Sequence, residues 1–273
     1  PNAIAADHAT EAEEPWPELD EADSDLTEFS VSLTPDLKIS RDVAGQVLAS
    51  LPAHLDVVGF ELIGTRKTVT AQWVTRREDA SVVERQLLAH FPEIALQESP
   101  EALRHAWGEA EMGTSLLVDF GLSNEFLFPL GAPSSFQADP LVGIVGAMAD
   151  LQEQEVAVLQ VLFRRARHPW SGSMLRAAEL LEGSEPRSLA RAKASEPLFA
   201  TVVRVAARTE DEEQTWDIVR AVGGALGPLA RTGSNEFIPL SNADYPDDEH
   251  ELDLLERRTH RSGMLLNLGE LVA

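Results

Sequence analysis

Cysteine is absent from the chain, so neither a disulfide framework nor a thiolate ligand or nucleophile is available to it. Basic residues are scarce: 22 Lys and Arg stand against 46 Asp and Glu, a formal charge of -24. A field of that sign repels phosphate backbones and anionic lipid heads, which disfavours generic nucleic-acid binding. Long apolar runs are missing as well. No window approaches the roughly 20 apolar residues of a membrane helix, and the first residues carry neither a basic nor an apolar leader-like stretch. A soluble chain is the expectation. What remains is ordinary globular composition: 273 residues, 44% hydrophobic, enough for one or two domains that need no staples.

Residues 1–28 hold ten acidic side chains, no Lys or Arg, and Trp16 between Pro15 and Pro17. Such a segment cannot offset its ordering entropy and reads as an acidic flexible tail, with docking on a basic partner as the other reading. Regular patterning follows. Phe29, Val31 and Leu33 alternate as a strand, and Val43, Val47, Leu48 and Leu51 fall at helical spacing behind Ser40. Residues 57–63 and 69–74 flank a turn as a hairpin, 80–91 is a second helix, and 94–96 is a closing strand. The order β-α-β-β-α-β over 29–98 predicts a ferredoxin-like split βαβ unit in an α+β protein, with both helices on one sheet face. Residues 99–241 read as a second α+β unit: a strand over 116–120, an amphipathic helix on Leu141, Ile144, Val145, Met148 and Leu151, and a central strand over 156–163. A helical insertion near 171–195 interrupts it before a strand from 198, a helix over 210–229 with Trp216, Val219, Val222 and Leu226 on one face, and a strand over 237–240. Residues 242–273 comprise an acidic loop, a helix and an apolar end that reads as a junction to a further domain.

No catalytic constellation is complete. Gly59 and Gly64-Thr65-Arg66-Lys67-Thr68 imitate a phosphate loop, but Lys does not follow the last Gly directly and the segment joins two strands, so it reads as a hairpin turn. The seven His form no metal-binding pair. Asp244, Asp247, Asp248, Glu249, His250, Glu251 and Asp253 lack calcium-loop spacing and read as a solvated helix start, an ion site being the lesser alternative. Ser171 and Ser173 beside His168 read as a helix start. No cofactor, metal or catalytic residue is therefore assigned. Candidate partner contacts are the basic cluster Arg164, Arg165, Arg167 with Trp170, and the apolar strip holding Met264, Leu265, Leu266 and Leu271.

Three stretches carry a resemblance: Asp139-Pro140-Leu141 leading into Gly143, Gly146 and Ala147; residues 157–163 followed by Ala166, His168, Pro169 and Trp170; and residues 261–267 with Glu270 and Leu271. Together they resemble the region preceding the motor domain in type IV secretion and conjugative-transfer ATPases of the HerA/FtsK-like group. The motor's phosphate loop, acidic metal residue and arginine finger have no match here. The resemblance implies a non-catalytic assembly or docking module, not itself an enzyme, with a membrane segment upstream and a hexameric ATPase motor downstream. Its partners would be that motor, neighbouring subunits or the secretion machinery, at the inner face of the cell membrane and without direct nucleic-acid contact. A small-ligand or effector-binding α+β domain is the alternative, and a metal-dependent hydrolase on the 244–253 carboxylates the third reading.

Overall fold

The turn at 66–68 sets the first register. β2 (Val58–Thr65) and β3 (Val69–Arg76) are rich in β-branched and aromatic residues and pair antiparallel around it, Thr65 N–H donating to the Thr68 carbonyl at 2.9 Å. Gly64 is glycine because of packing: a Cβ there would lie 2.8 Å from the Met148 Cβ. A computed structural model describes residues 25–33, 40–110, 113–131, 140–243 and 245–273. The tail residues 1–24, Asp139 and Asp244 lie outside the described residues.

β1 (Leu26–Ser32) pairs with β3 and with β4 (Ala95–Glu98), giving the order β4-β1-β3-β2. β1 begins inside the stretch read as tail, and Glu28 is buried in the sheet. α1 (Arg41–Ser50) and α2 (Arg77–His90) bury Val47, Leu48, Val83 and Leu87 in one core with Val58 and Phe163. Both helices thus lie on one face, as the split βαβ arrangement requires.

After α3 (Ala102–Gly108) the same plan returns. β5 (Thr114–Leu122), α4 (Pro140–Met148), β6 (Val156–Arg165), β7 (Leu198–Thr209), α7 (Glu212–Gly224) and β8 (Phe237–Pro239) give the order β8-β5-β7-β6. The insertion is a helical hairpin, α5 (Trp170–Leu180) and α6 (Ser184–Ala194), between β6 and β7. The fold is therefore α+β with two ferredoxin-like units. They are joined because β2 pairs antiparallel with β6 over eight residue pairs, Val58 to Thr65 against Phe163 to Val156, making one continuous sheet.

Strand alternation assigns the faces. Val58, Phe60 and Leu62, with Leu159, Val161, Val203 and Val205, point toward α1, α2, α4 and α7. The other face is covered by α3 and by α8 (Asp247–Glu256), where Leu103, Trp107 and Leu254 pack on Ile63, Val158 and Ala206. The apolar end is built in: β9 (Met264–Asn267) pairs with the start of β7, and α9 (Leu268–Leu271), closed by an Asn267–Glu270 capping box, packs on α1.

Two helix faces depart from expectation. On α4, Ile144 and Met148 are buried, as is Leu151 beyond its end, but Leu141 is 43% and Val145 40% exposed. Trp216 of α7 is likewise 45% exposed, while Thr215, Ile218, Val219 and Val222 form the inner face. The sequence period was sound, yet α4 is apolar over a wider arc than the sheet can cover, and α7 is turned so that Thr215 rather than Trp216 meets the core.

Candidate functional site

β3, β2, β6, β7 and β5 each place a polar residue in one row on the α8 side, and the register puts these five in a line. Gln72 is directly opposite Glu61, Glu61 opposite Gln160, Gln160 opposite Arg204, and Arg204 opposite Asp119. Gln72 and Gln160 donate to Glu61 at 2.6 and 2.8 Å, and Arg204 Nε donates to Asp119 at 2.7 Å and its Nη1 to Gln160 Oε1 at 3.1 Å. All five side chains are buried. An isolated charge here would be prohibitive, so pairing is obligatory.

The second layer comes from α8 and the turn after it. Arg257 adopts a left-handed backbone (φ 55°) as the C-cap of α8, which aims its guanidinium at Glu61 (3.0 Å) and Glu28 (2.8 Å). Glu28 also accepts the Ala102 N–H at 2.7 Å and so fixes the start of α3. Burial, with help from Glu61, pushes the Glu28 carboxyl above its usual range despite Arg257. Arg257 is held charged by Glu61 and Glu28 against its own burial. At the other end, burial would raise Asp119, but His250 and Arg204 prevail and hold it at about 2. His250 Nε2 lies 3.2 Å and Arg261 Nε 3.3 Å from its Oδ2.

Beyond Asp119 the row opens into a cavity of about 350 Å³ lined by Asp119, Gly121, Val202, His260, Arg261 and Ser262. His260 is oriented by buried Asp253 (2.9 Å), which also takes Arg258 at 2.9 Å and the Tyr245 hydroxyl. Burial and Asp253 push the Tyr245 phenol up. The acidic segment is thus split: Asp253 and His250 face inward, Glu251 pairs with Arg208 at 2.8 Å, and Asp247, Asp248 and Glu249 start α8 in solvent. Among the described residues no three His, Asp or Glu converge as a metal site.

The basic cluster disperses. Arg164 is buried at the end of β6, Arg167 is exposed and lies 3.6 Å from Asp56, and Trp170 packs edge-on against Phe126 with centroids 5.6 Å apart. In the terminal strip Leu265 and Leu266 are buried, while Met264 and Leu271 are half-buried against the two cores. Lys193 of α6 is buried 3.0 Å from Glu270 and so ties the insertion to α9.

The fold and the row define an α+β protein of two ferredoxin-like units with a charge-paired seam under α8. Residues 46–183, half of the chain, match the family described as Domain of unknown function (DUF8128), and the protein belongs to that family. No curated protein matches the chain.

Proposed function

We propose that the chain is a non-catalytic assembly and docking module of a type IV secretion or conjugative DNA-transfer ATPase, acting at the inner face of the cell membrane. The observation that carries this reading is the polar row: its acids and bases are spent on one another, locking α3 and α8 to the sheet. A rigid platform uses buried charge in that way, to fix one packing of its covering helices. The three resembling stretches supply α4, β6 and the β9–α9 segment, all of them scaffold. Among the described residues no helix is long and apolar enough to cross a membrane, so membrane attachment would come from a segment or partner beyond these elements.

The test joins sequence and assembly. A phosphate loop encoded after Ala273, or in a co-transcribed subunit, is the expected finding. Deleting residues 1–273 from that assembly should abolish subunit association while the motor keeps its ATP hydrolysis within a few-fold. ATP hydrolysis by residues 1–273 alone would overturn the reading. The cavity at His260 favours small-ligand binding as the second reading. A ligand that protects His260 and Arg261 from chemical modification would favour it.

A further inference from the structure

The two units end their polar rows differently. In the first, the register places Ser30 opposite Gln72, its hydroxyl donates to Ser99 Oγ at 2.8 Å, and β4 runs beside β1 for four residue pairs, closing that end. In the second, the equivalent place opposite Arg204 is held by Asp119, and β8 pairs with β5 over only three residues, Phe120 to Leu122. After Leu240 the chain leaves the sheet, and it returns as the loop His260-Arg261-Ser262-Gly263 before β9 begins at Met264. The cavity of about 350 Å³ is lined by that loop and the sheet, with Phe120, Val202 and Leu240 as its apolar wall.

Hydrogen-bond capacity, not net charge, selects the ligand. Around the cavity Arg204, Arg258 and Arg261 stand against Asp119, Asp253 and Glu256, a local balance in a chain that carries -24. All three carboxylates are engaged: Asp119 by Arg204, His250 and Arg261, Asp253 by Arg258, Tyr245 and His260, and Glu256 by Arg258. What the loop has left is donors. Arg261 spends Nε on Asp119 and Nη2 on the Ser241 carbonyl and Asn242 Oδ1, which leaves Nη1. Among the described residues the Ser262 hydroxyl and the Ser262 and Gly263 N–H groups make no bond, Gly263 being left-handed (φ 65°) just before the ladder starts. His260, with Nδ1 on Asp253, keeps Nε2, which donates when protonated. Burial would raise Asp119, yet His250 and Arg204 hold it at about 2, so the field from the sheet and α8 at this wall is positive. A planar carboxylate is best met by a free guanidinium fork, which Arg261 no longer offers, whereas a tetrahedral oxyanion accepts from single donors spread round a loop. We propose that the cavity binds a small phosphomonoester, its phosphate on residues 260–263 and its organic part against Phe120, Val202 and Leu240. This rests on the small-ligand reading of the cavity and is independent of the assembly reading.

The test uses residues 1–273 and, as probes, phenyl phosphate beside benzoate and inorganic phosphate, each followed by the amide resonances of the protein in an NMR titration. Phenyl phosphate should shift Ser262 and Gly263 saturably and bind about tenfold or more tighter than benzoate. Inorganic phosphate should give the same shifts more weakly, since it leaves the apolar wall unused. Ser262→Ala should weaken phenyl phosphate by about three- to tenfold and His260→Gln by about tenfold. Ser262 is exposed and makes no bond in the fold, so its variant should keep the melting temperature, which separates loss of the site from loss of the fold. Affinity unchanged in both variants, or phosphate shifts centred on Arg165 and Arg167 instead, would overturn the inference. Benzoate binding as tightly at residues 260–263 would overturn the phosphate assignment alone and support the small-ligand reading. No shift there with any of the three probes would overturn this inference, while protection of His260 and Arg261 by a different ligand would still favour that reading.

Discussion

At the scale of single residues, the stakes lie in buried charge. Arg257→Met leaves Glu28 and Glu61 without a cation beneath α8. It is expected to cost about 3–5 kcal/mol, a large part of a typical domain's 5–15 kcal/mol, measured by urea unfolding. Adding Glu28→Gln and Glu61→Gln to it should recover much of that loss, because the desolvated charges go together. Asp119 dictates an acid limb. Its folded value, about 2, lies below the ordinary 3.8, so its stabilisation is complete above pH 4 and is lost as pH falls through about 2. Asp119→Asn should therefore lower stability at neutral pH by roughly 2 kcal/mol, the difference shrinking as pH falls from 4 and vanishing below about 2 in a pH series of denaturation curves. Glu28 has the opposite sign. Its raised value means that the folded state keeps a proton above 4.5, so its contribution declines as pH rises from there.

At the scale of elements, packing decides what looked like chemistry. Gly64, the last glycine of the phosphate-loop imitation, sits under Met148 of α4. Gly64→Ala should displace that helix and cost about 1–3 kcal/mol by thermal unfolding. Lys67→Ala, in the exposed turn, should leave stability and any nucleotide titration unmoved, and a micromolar ATP affinity lost in that variant would contradict the assignment. The α6–α9 tie rests on Lys193 and Glu270, where burial lowers the Lys193 ammonium against the pull of Glu270. Lys193→Met should destabilise by about 3 kcal/mol, and adding Glu270→Gln should restore part of it. The apolar arc of α4 was visible in its composition. Which part of the arc met the sheet was not, because one helix can roll over a pleated surface while its period stays the same.

At the scale of the whole molecule, the β2–β6 pairing turns two units into one body. The seam buries Val58, Leu62, Ile63, Val158, Leu159, Leu162 and Phe163, so neither unit can leave without exposing a long apolar strand edge. A single cooperative transition, with calorimetric and van't Hoff enthalpies equal, is expected for residues 1–273. Two separated transitions would show the units to be independent. Residues 25–110 expressed alone should associate or aggregate through the bared β2 edge.

Local patterning was enough for most elements and for the first unit, because periods of 2 and 3.6 are local and the β-α-β-β-α-β order admits few packings, whereas β9 and α9 read only as an apolar end. It also carried a trace of the row. Glu61 and Gln160 each interrupt an apolar strand, and Arg204 does the same in β7. Those are single polar residues spread over strands from Glu28 to Arg204, and nothing local relates them. Long-range pairing alone sets them side by side, brings Arg257 back to Glu28 and Glu61, and joins the second unit to the first across β2 and β6. Sheet register is a long-range property: a slip of one residue would turn every one of these side chains to the opposite face.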